Sequence, residues 1–166
     1  GSAPARADAA VTSRRGVVLA VLTADCLPVL FTNAGGTVAG IAHAGWRGLA
    51  AGVVERTVDA LEGKSADRRW IAWLGPAIGP AHFEVGDEVR AAFVAGDPGA
   101  SGAFRPGVRA GKWMADLPAL ARRRLAQRGV ESVHGGADCT VGDAARFYSY
   151  RRDGVTGRMA SLLWLD

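Results

Sequence analysis

The chain has few lysines, few histidines, few cysteines and no long apolar run, and each shortage excludes a class of protein. Only Lys64 and Lys112 are lysines among the 20 lysine and arginine residues, so arginine carries nearly all of the positive charge behind the net charge of +4. These arginines are scattered, with acidic residues among them. Nucleic-acid binders concentrate basic charge on one face and interleave it with aromatic residues. We therefore expect no nucleic-acid partner.

Long apolar stretches are missing as well. A membrane-spanning helix needs roughly 18 or more consecutive apolar residues, whereas the longest apolar run here, 17–22, has the length of a strand. The N-terminus shows no basic region followed by the apolar core of a signal peptide. We expect no membrane partner.

The two cysteines, Cys26 and Cys139, are far apart in the sequence. A small secreted protein held together by disulfides would carry more of them, so a reducing compartment is the better expectation. The predicted location is therefore the cytoplasm, where either cysteine is free to act as a metal ligand or a nucleophile.

Hydrophobic residues make up 49% of the chain, which is ample for a core. Gly1-Ser2 is taken as a cloning remnant, and residues 3–166 are predicted to form one domain. Short apolar segments alternate with segments of helical periodicity, but several strands adjoin by short turns. This mixture predicts an α+β fold, in which helices cover mixed β-sheets, rather than a doubly wound fold.

Individual elements follow from the same patterns. A strand is predicted at 17–24 and an extended segment at 29–31, with an interruption at Pro28 between them. The sequence Asn33-Ala34-Gly35-Gly36 indicates a turn, so the segment before it should form a hairpin with a strand at 37–42. A ragged start is expected at 3–15 and a mobile surface loop at 96–111. Further strands are predicted at 70–74, 130–133, 147–150 and 159–165. Three helices are also predicted: one begins at residue 49 and stops at Gly63, one lies within 84–94, and one is capped by Asp116 and ends at Gly129.

Polar residues follow directly on the first apolar strand, in the segment Thr23-Ala24-Asp25-Cys26-Leu27-Pro28. Residues at strand ends are held by a rigid sheet while facing a cleft. A cysteine there can bind zinc as a thiolate or attack a substrate as a nucleophile. These six residues alone favour a plainer interpretation, a buried structural cysteine beside a turn aspartate.

A second polar motif, His43-Ala44-Gly45-Trp46-Arg47-Gly48, also ends an apolar strand. The histidine is well placed as a ligand or base. Gly45 and Gly48 allow a ligand to approach the backbone, and the following helix start attracts anions. Arg47 adds a charged fork that suits phosphate or carboxylate. A solvated arginine on a capped turn is the alternative, but the pattern is too specific to favour it.

These two motifs lie on strands that we expect to be adjacent, so Cys26 and His43 should lie side by side. Zinc would accept both side chains, although a catalytic zinc usually has three protein ligands. No obvious third ligand is present, because His82, His134 and Cys139 are each more typical of surface or structural positions. Near the C-terminus, the aromatic residues and arginines of 147–153 can stack on a base and hold an anion. The alternative is a strand that leaves the core into a charged hairpin, and it is favoured for Arg152 and Asp153.

Several stretches in chain order resemble the bacterial laccase-domain family, once called multicopper polyphenol oxidases and later described as purine nucleoside phosphorylases. They cover nearly the whole chain, and their specificity far exceeds that of a single short motif. The matching stretches are 22–31 (LTADCLPVLF), 43–48 (HAGWRG), 73–80 (WLGPAIGP) with 83–86 (FEVG), and 149–153 (SYRRD) with 156–158 (TGR).

The resemblance implies a layered α/β/β/α sandwich with mixed β-sheets and a metal site of one cysteine and two histidines. Cys26 matches the family's cysteine, and His43 matches its second histidine. The family's first histidine lies in a His-Gly motif upstream of the segment that corresponds to 7–9. We therefore expect the domain at 3–166 to be truncated at its N-terminus, with the third ligand in the missing segment.

The resemblance also implies several activities, of which we favour one. The favoured function is a zinc-dependent purine nucleoside phosphorylase and adenosine deaminase acting on adenosine, inosine, guanosine or methylthioadenosine. One alternative is a metal-independent Cys-His hydrolase or amidase that edits peptidoglycan precursors. A copper-dependent polyphenol oxidase is the weakest alternative, because multicopper centres need many histidines and the chain has three, although copper can occupy a zinc site. A pure binding module would not explain a cysteine and a histidine at adjacent strand ends.

The favoured function assigns a role to each candidate residue. Cys26 and His43 would bind the metal, Arg47 would hold phosphate, and Asp25 would orient a ligand or accept a hydrogen bond from the sugar or base. The expected partners are a nucleoside and phosphate. The residues expected to contact the substrate are Thr23, Gly45, Trp46, Arg47 and Arg151.

Overall fold

The computed structural model describes residues 7–166, so Gly1-Ser2 and the predicted start of the domain at residue 3 lie outside the described part. The strands are β1 (Ala9–Thr12), β2 (Leu19–Thr23), β3 (Leu27–Asn33), β4 (Ala39–Ala44), β5 (Trp70–Leu74), β6 (Glu84–Gly86), β7 (Phe104–Pro106), β8 (Lys112–Ala115), β9 (Ser132–Gly135) and β10 (Met159–Leu163). The α-helices are α1 (Trp46–Ala50), α2 (Val53–Glu62), α3 (Asp87–Val94), α4 (Leu117–Gln127) and α5 (Tyr150–Asp153), and a 3₁₀ helix spans Pro98–Ala103.

Five strands form the central sheet in the order β1-β4-β3-β5-β9. Strand β3 pairs antiparallel with both β4 and β5, while β9 runs parallel to β5. A second sheet joins β2 to β10, and a third has the order β6-β8-β7. The prediction of an α+β fold with mixed sheets is confirmed, because parallel and antiparallel pairs occur in the same sheet.

The predicted hairpin is confirmed for β3 and β4. Its turn is held by Asn33, whose Oδ1 accepts a hydrogen bond from Thr37 N at 2.9 Å and whose Nδ2 donates to Thr37 Oγ1 at 2.8 Å. Gly36 has φ +62°, which glycine adopts without steric cost. The turn thereby sets the register that brings Pro28 opposite His43.

Strand β2 does not join this hairpin but pairs with the C-terminal strand β10, from Leu19 opposite Leu163 to Thr23 opposite Met159. Its Leu19 packs with Ala39 and Ile41 of the central sheet in a small separate apolar cluster. The segment that carries Asp25 and Cys26 therefore connects two different sheets.

Helix α2 covers the central sheet with one apolar face, on which Val54, Val58 and Leu61 are fully buried. The predicted continuous helix after Gly48 is wrong. It is divided at Gly52, whose φ of +87° is left-handed and ends α1 before α2 begins. Two predicted helix boundaries are confirmed. Gly63 is the C-cap of α2, and Asp116 Oδ1 accepts a hydrogen bond from Ala119 N at the start of α4.

Several local predictions are wrong for identifiable reasons. Pro28 does not interrupt a strand but is the second residue of β3. The pairing of β3 with β5 covers only Val29 to Asn33, so no hydrogen bond of that pairing needs the N–H that proline lacks. The segment 147–150 is not a strand, because Ser149 Oγ accepts from Arg152 N and caps α5. The segment 96–111 contains the 3₁₀ helix and β7 rather than an irregular loop.

Further boundaries differ from prediction, and several strands, among them β2, β4 and β10, begin or end about two residues from their predicted bounds. Residues 9–12 of the expected ragged start form β1, which pairs with β4. Strand β9 begins at Ser132, two residues after the predicted start. Among residues 7–166, no helix combines the length and the apolar character needed to cross a membrane.

Candidate functional site

Cys26 and His43 converge above the backbone of Gly45. Leu27 lies opposite Ala44 in the β3–β4 ladder, which places Cys26, one residue earlier, next to Gly45. A Cβ on Gly45 would lie 2.8 Å from Cys26 Sγ and 3.9 Å from His43 Nε2. The absence of a side chain at Gly45 therefore leaves the space in which the sulfur and the imidazole nitrogen face a common point.

Asp8 holds the other side of the His43 ring. Its Oδ1 lies 3.5 Å from His43 Nδ1, and its backbone oxygen accepts a hydrogen bond from His43 N at 2.7 Å. A carboxylate at Nδ1 favours the tautomer that carries its proton there, which leaves Nε2 with a free lone pair. Metal-binding histidines commonly have this arrangement.

The electrostatic surroundings of Cys26 disfavour a free thiolate. Burial raises the pKa of the Cys26 thiol, and the negative charges of Asp25 and Asp8 raise this pKa further, whereas the positive charge of Arg158 lowers it. Without a bound cation, the thiol is therefore protonated at neutral pH. A coordinated metal ion would reverse this preference, because it stabilises the thiolate directly.

Asp25 connects three segments around Cys26. Its Oδ1 accepts a hydrogen bond from Thr140 Oγ1 and its Oδ2 accepts one from Arg151 N, both at 2.6 Å. Its backbone oxygen accepts from Ile78 N at 2.9 Å. With φ +91°, Asp25 is the one non-glycine residue of the described chain in the left-handed region. Both carboxylate oxygens are thus engaged by the protein itself.

A cleft of about 160 Å³ opens on one side of Cys26. Its walls are mostly apolar, and Arg151 lies at its edge, where Nη1 donates to the Glu84 oxygen at 3.1 Å. The guanidinium of Arg151 lies 5.5 Å from the centre of the Phe83 ring. The remaining lining residues are Ala24, Asp25, Trp46, Ile78, Leu117 and Tyr150.

A second depression, of about 230 Å³, lies on the other side of Cys26. It contains His43 and Arg47, and Trp46 lines both depressions. The exposed guanidinium of Arg47 stacks over the Trp46 ring at 4.5 Å. Within residues 7–166, Arg47 forms no ion pair, so its charge is directed to solvent and to the depression.

The structure brings together all of the predicted site residues except one. Thr23 is 2% exposed, and its hydroxyl has no hydrogen-bond partner among residues 7–166. It lines a different groove, of about 360 Å³, together with Trp73 and Phe147. Since Cys26 does not line that groove, the structure separates Thr23 from the cysteine.

Sequence reasoning missed Asp8 and Phe83 as residues close to Cys26 or His43, whereas Tyr150 belongs to the segment 147–153 that was expected to stack on a base. Phe83 lies in one of the stretches on which the family resemblance rests, so it had a signal. Asp8 had none, because its position depends on the pairing of β1 with β4, about 30 residues later in the chain.

The third metal ligand is not found within residues 7–166. No group of three or more histidine, cysteine, aspartate or glutamate side chains in this part is arranged to hold a metal ion. Cys139 Sγ lies 3.4 Å from His82 Nδ1, and His134 Nε2 lies 3.0 Å from Ser132 Oγ. Cys26 and His43 thus fit a metal as two ligands of a larger set.

Comparison with other proteins identifies related sequences across nearly the whole chain. The purine nucleoside phosphorylase of Pseudomonas aeruginosa is 58% identical over 161 residues, which are 97% of this chain and 66% of that protein. The purine nucleoside phosphorylase YfiH of Escherichia coli is 55% identical over 161 residues, which are 96% of this chain and 64% of that protein. The chain therefore spans slightly less than two thirds of the length of these relatives.

Solved structures share the fold. A crystal structure of Neisseria meningitidis protein NMB0706 matches with a TM-score of 0.91 and 52% identity, over 96% of this chain and 65% of that one. The Bacillus licheniformis protein YfiH matches with a TM-score of 0.87 and 34% identity, over 96% and 61% of the two chains. A profile of the family described as multi-copper polyphenol oxidoreductase laccase matches residues 2–166. The chain belongs to this laccase-like family, some of whose members are named purine nucleoside phosphorylases.

Proposed function

We propose that this protein is a zinc-dependent purine nucleoside phosphorylase in which Cys26 and His43 are two of the metal ligands. The convergence of Cys26 Sγ and His43 Nε2 above Gly45 carries the proposal. The names of the relatives at 55–58% identity support the substrate class.

The choice of zinc rests on the chemistry of the donor atoms. A thiolate and an imidazole suit zinc, and three protein ligands with one open position are usual for catalytic zinc. Asp8 would orient His43 from behind, as carboxylates do in many zinc sites. The third ligand would come from outside residues 7–166. Bound zinc would supply a Lewis acid next to the substrate.

The residues on the two sides of Cys26 would bind different parts of the substrates. The apolar cleft with Trp46, Phe83 and Tyr150 suits the flat face of a purine base, because aromatic and aliphatic walls exclude water from it. Arg47, on the other side, is free to hold phosphate through its planar fork. Its side chain rather than the helix must supply the attraction, since α1 has only five residues.

The same site would support deamination of adenosine as a second activity. Both reactions require the nucleoside in the cleft, but only phosphorolysis requires an anion site. The substrates that we propose are adenosine, inosine, guanosine and methylthioadenosine, and their order of preference would depend on the apolar walls around Cys26.

A metal-free Cys-His hydrolase is the second candidate function. The spatial arrangement favours it, because Cys26 could act as the nucleophile, His43 as the base and Asp8 as the carboxylate that orients the base. The raised pKa of Cys26 argues against it, because a nucleophilic thiol needs the opposite shift. The zinc site is therefore the better candidate, because a bound metal ion would stabilise the Cys26 thiolate that these surroundings otherwise disfavour.

The proposal is tested by assaying two proteins, the 166-residue chain and a version extended at its N-terminus to the length of the curated relatives. The extended protein should convert inosine to hypoxanthine and ribose 1-phosphate only when phosphate is present. The 166-residue chain should be nearly inactive and poor in zinc, because two ligands rarely hold zinc tightly. Release of hypoxanthine at the same rate without phosphate would contradict a phosphorylase.

The role of Arg47 gives a separate prediction. Loss of one charge-assisted contact, worth about 1.5–3 kcal/mol, should weaken phosphate binding about 10- to 150-fold in Arg47→Ala. Arg47→Lys keeps the charge but not the planar fork, so it should recover only part of this loss. Deamination of adenosine uses no phosphate and should suffer less.

The measurement is a phosphate titration of both reactions with adenosine in the extended protein. Arg105→Ala is the comparison, because Arg105 is an exposed arginine in β7 that lines neither depression beside Cys26, so its loss should change neither reaction. Equal losses of phosphorolysis and deamination in Arg47→Ala would assign Arg47 to the nucleoside or to the fold.

A further inference from the structure

A second cysteine–histidine pair lies outside the site described above. Cys139 Sγ is 3.4 Å from His82 Nδ1. Two backbone amides also donate to this sulfur, Gly79 N at 3.3 Å and Gly142 N at 3.4 Å. Neither Cys139 nor His82 lines either depression beside Cys26.

The fold builds this pair from distant parts of the chain. An isolated parallel bridge between Ala77 and Cys139 brings the two segments together. His82 is held in a turn in which its N–H donates to the Gly79 oxygen at 3.0 Å. A Cβ on Gly79 would lie 3.0 Å from Cys139 Sγ, so the lack of a side chain there lets the backbone amide reach the sulfur.

The contacts around Cys139 place two hydrogen-bond donors and one base at its sulfur. N–H groups that point at a sulfur stabilise its negative charge more than its neutral form. The neighbouring imidazole is a base within reach of the thiol proton. His82 is exposed and Cys139 is partly exposed, so small reagents can reach the pair from solvent. Cys26 is less suited to such a reaction, because burial and the negative charge of Asp25 both raise the pKa of its thiol.

We propose that Cys139 is a reactive thiol that peroxides oxidise reversibly to a sulfenic acid, with His82 as the group that accepts the thiol proton. The thiolate sulfur attacks one peroxide oxygen, so an S–O bond forms while the O–O bond breaks. The sulfur loses two electrons and the peroxide gains them. The hydroxide that leaves takes the proton from His82, which gives one sulfenic acid and one water for each thiol and hydrogen peroxide.

A metal site is a poor alternative for this pair. Two side chains rarely bind a metal ion tightly, and no third ligand accompanies them in the described part of the chain. The proposal is also independent of the proposed nucleoside chemistry, because it concerns residues outside that site and its test measures no activity.

Alkylation rates test the reactivity of Cys139. The protein is treated with iodoacetamide at pH 7, once folded and once in urea, and each cysteine is quantified by peptide mass spectrometry. Because His82 lies where it can accept the thiol proton, Cys139 should react about 3- to 30-fold faster in the folded protein than in the unfolded one. Cys26 should react more slowly when folded. A thiol that is merely exposed would react no faster in the folded protein, and that result would overturn the proposal.

A variant and its matched control test the role of His82. His82→Gln should remove most of the acceleration at Cys139, whereas His134→Gln, at an exposed histidine bound to Ser132, should leave it unchanged. Dilute hydrogen peroxide followed by dimedone should label Cys139 before Cys26, and a thiol reductant applied before dimedone should prevent the labelling. Preferential labelling of Cys26, or equal rates in His82→Gln and the unaltered protein, would contradict the proposal.

Discussion

Cys26→Ser and His43→Ala are each expected to lower both the zinc affinity and the rate of phosphorolysis of the extended protein by about 100-fold or more. Changes to residues that only orient a zinc ligand already cost about 10- to 100-fold, so loss of a ligand itself should cost at least the upper end of that range. The two variants should behave alike, because either change leaves zinc with too few ligands.

Matched controls separate loss of the ligand from a general effect of the substitution. Cys139→Ser and His134→Ala change the same residue types outside the Cys26 site. Both should keep about one zinc per chain when measured by elemental analysis after dialysis. Undiminished zinc in Cys26→Ser and His43→Ala would rule out both residues as ligands.

The second large effect is expected at Asp25. Asp25→Ala removes the acceptor of two hydrogen bonds, from Thr140 Oγ1 and Arg151 N, and leaves alanine at φ +91°. Hydrogen bonds to charged groups contribute about 1.5–3 kcal/mol each, and partial exposure of Asp25 reduces this, so we expect a loss of about 3 kcal/mol. For a chain of this size, the melting temperature should fall by roughly 6–12 °C. Because Asp25 positions the neighbouring Cys26, the rate should fall about 100-fold.

Asp25→Asn distinguishes a positioning role from a catalytic one. Asparagine tolerates the left-handed conformation and keeps one oxygen as an acceptor. We therefore expect about half of the loss in melting temperature and a smaller loss in rate than in Asp25→Ala. If Asp25 acted as an acid or base, Asp25→Asn would keep its stability but lose activity as fully as Asp25→Ala. Thermal unfolding by circular dichroism and the phosphorolysis assay together give the answer.

Elements whose cause is local could be predicted from the sequence. Strand β5 (Trp70–Leu74) was predicted with its observed bounds, because a short apolar segment is followed by a Gly-Pro turn. The cap at Asp116 and the C-terminal end of α2 at Gly63 also depend on a few neighbouring residues. The same holds for the β3–β4 hairpin, whose turn is fixed by Asn33.

Elements whose cause is distant could not be predicted. The apolar sequence of β2 does not reveal that its partner is β10, about 140 residues later. Segment 147–150 has the composition of a strand, yet Ser149 caps α5, and Asp25 receives the N–H of Arg151 at the start of that helix. The proximity of Cys26 and His43 follows from the local hairpin, whereas Asp8 and the cleft with Phe83 and Tyr150 follow from tertiary contacts.

The candidate site also shows how structure refines a motif. For the motif at 23–28, the favoured function assigned Asp25 to orient a ligand or to accept a hydrogen bond from the sugar or base, but its carboxylate is engaged by Thr140 and Arg151. The pattern 43–48 suggested that a helix start binds an anion, but α1 is short and Arg47 itself provides the available charge. In both motifs, the proposed chemistry depends on how the fold orients particular side chains, which the motif sequence alone does not specify.

X-ray absorption at the zinc edge of the zinc-loaded extended protein tests the central claim most directly. We predict a first shell with one sulfur at about 2.3 Å and nitrogen neighbours at about 2.0–2.1 Å. The sulfur contribution should persist in Cys139→Ser, and the little zinc that Cys26→Ser binds in excess zinc should show no sulfur neighbour. A shell of only nitrogen and oxygen in the unaltered protein, or a sulfur that remains in Cys26→Ser, would contradict the proposed metal site.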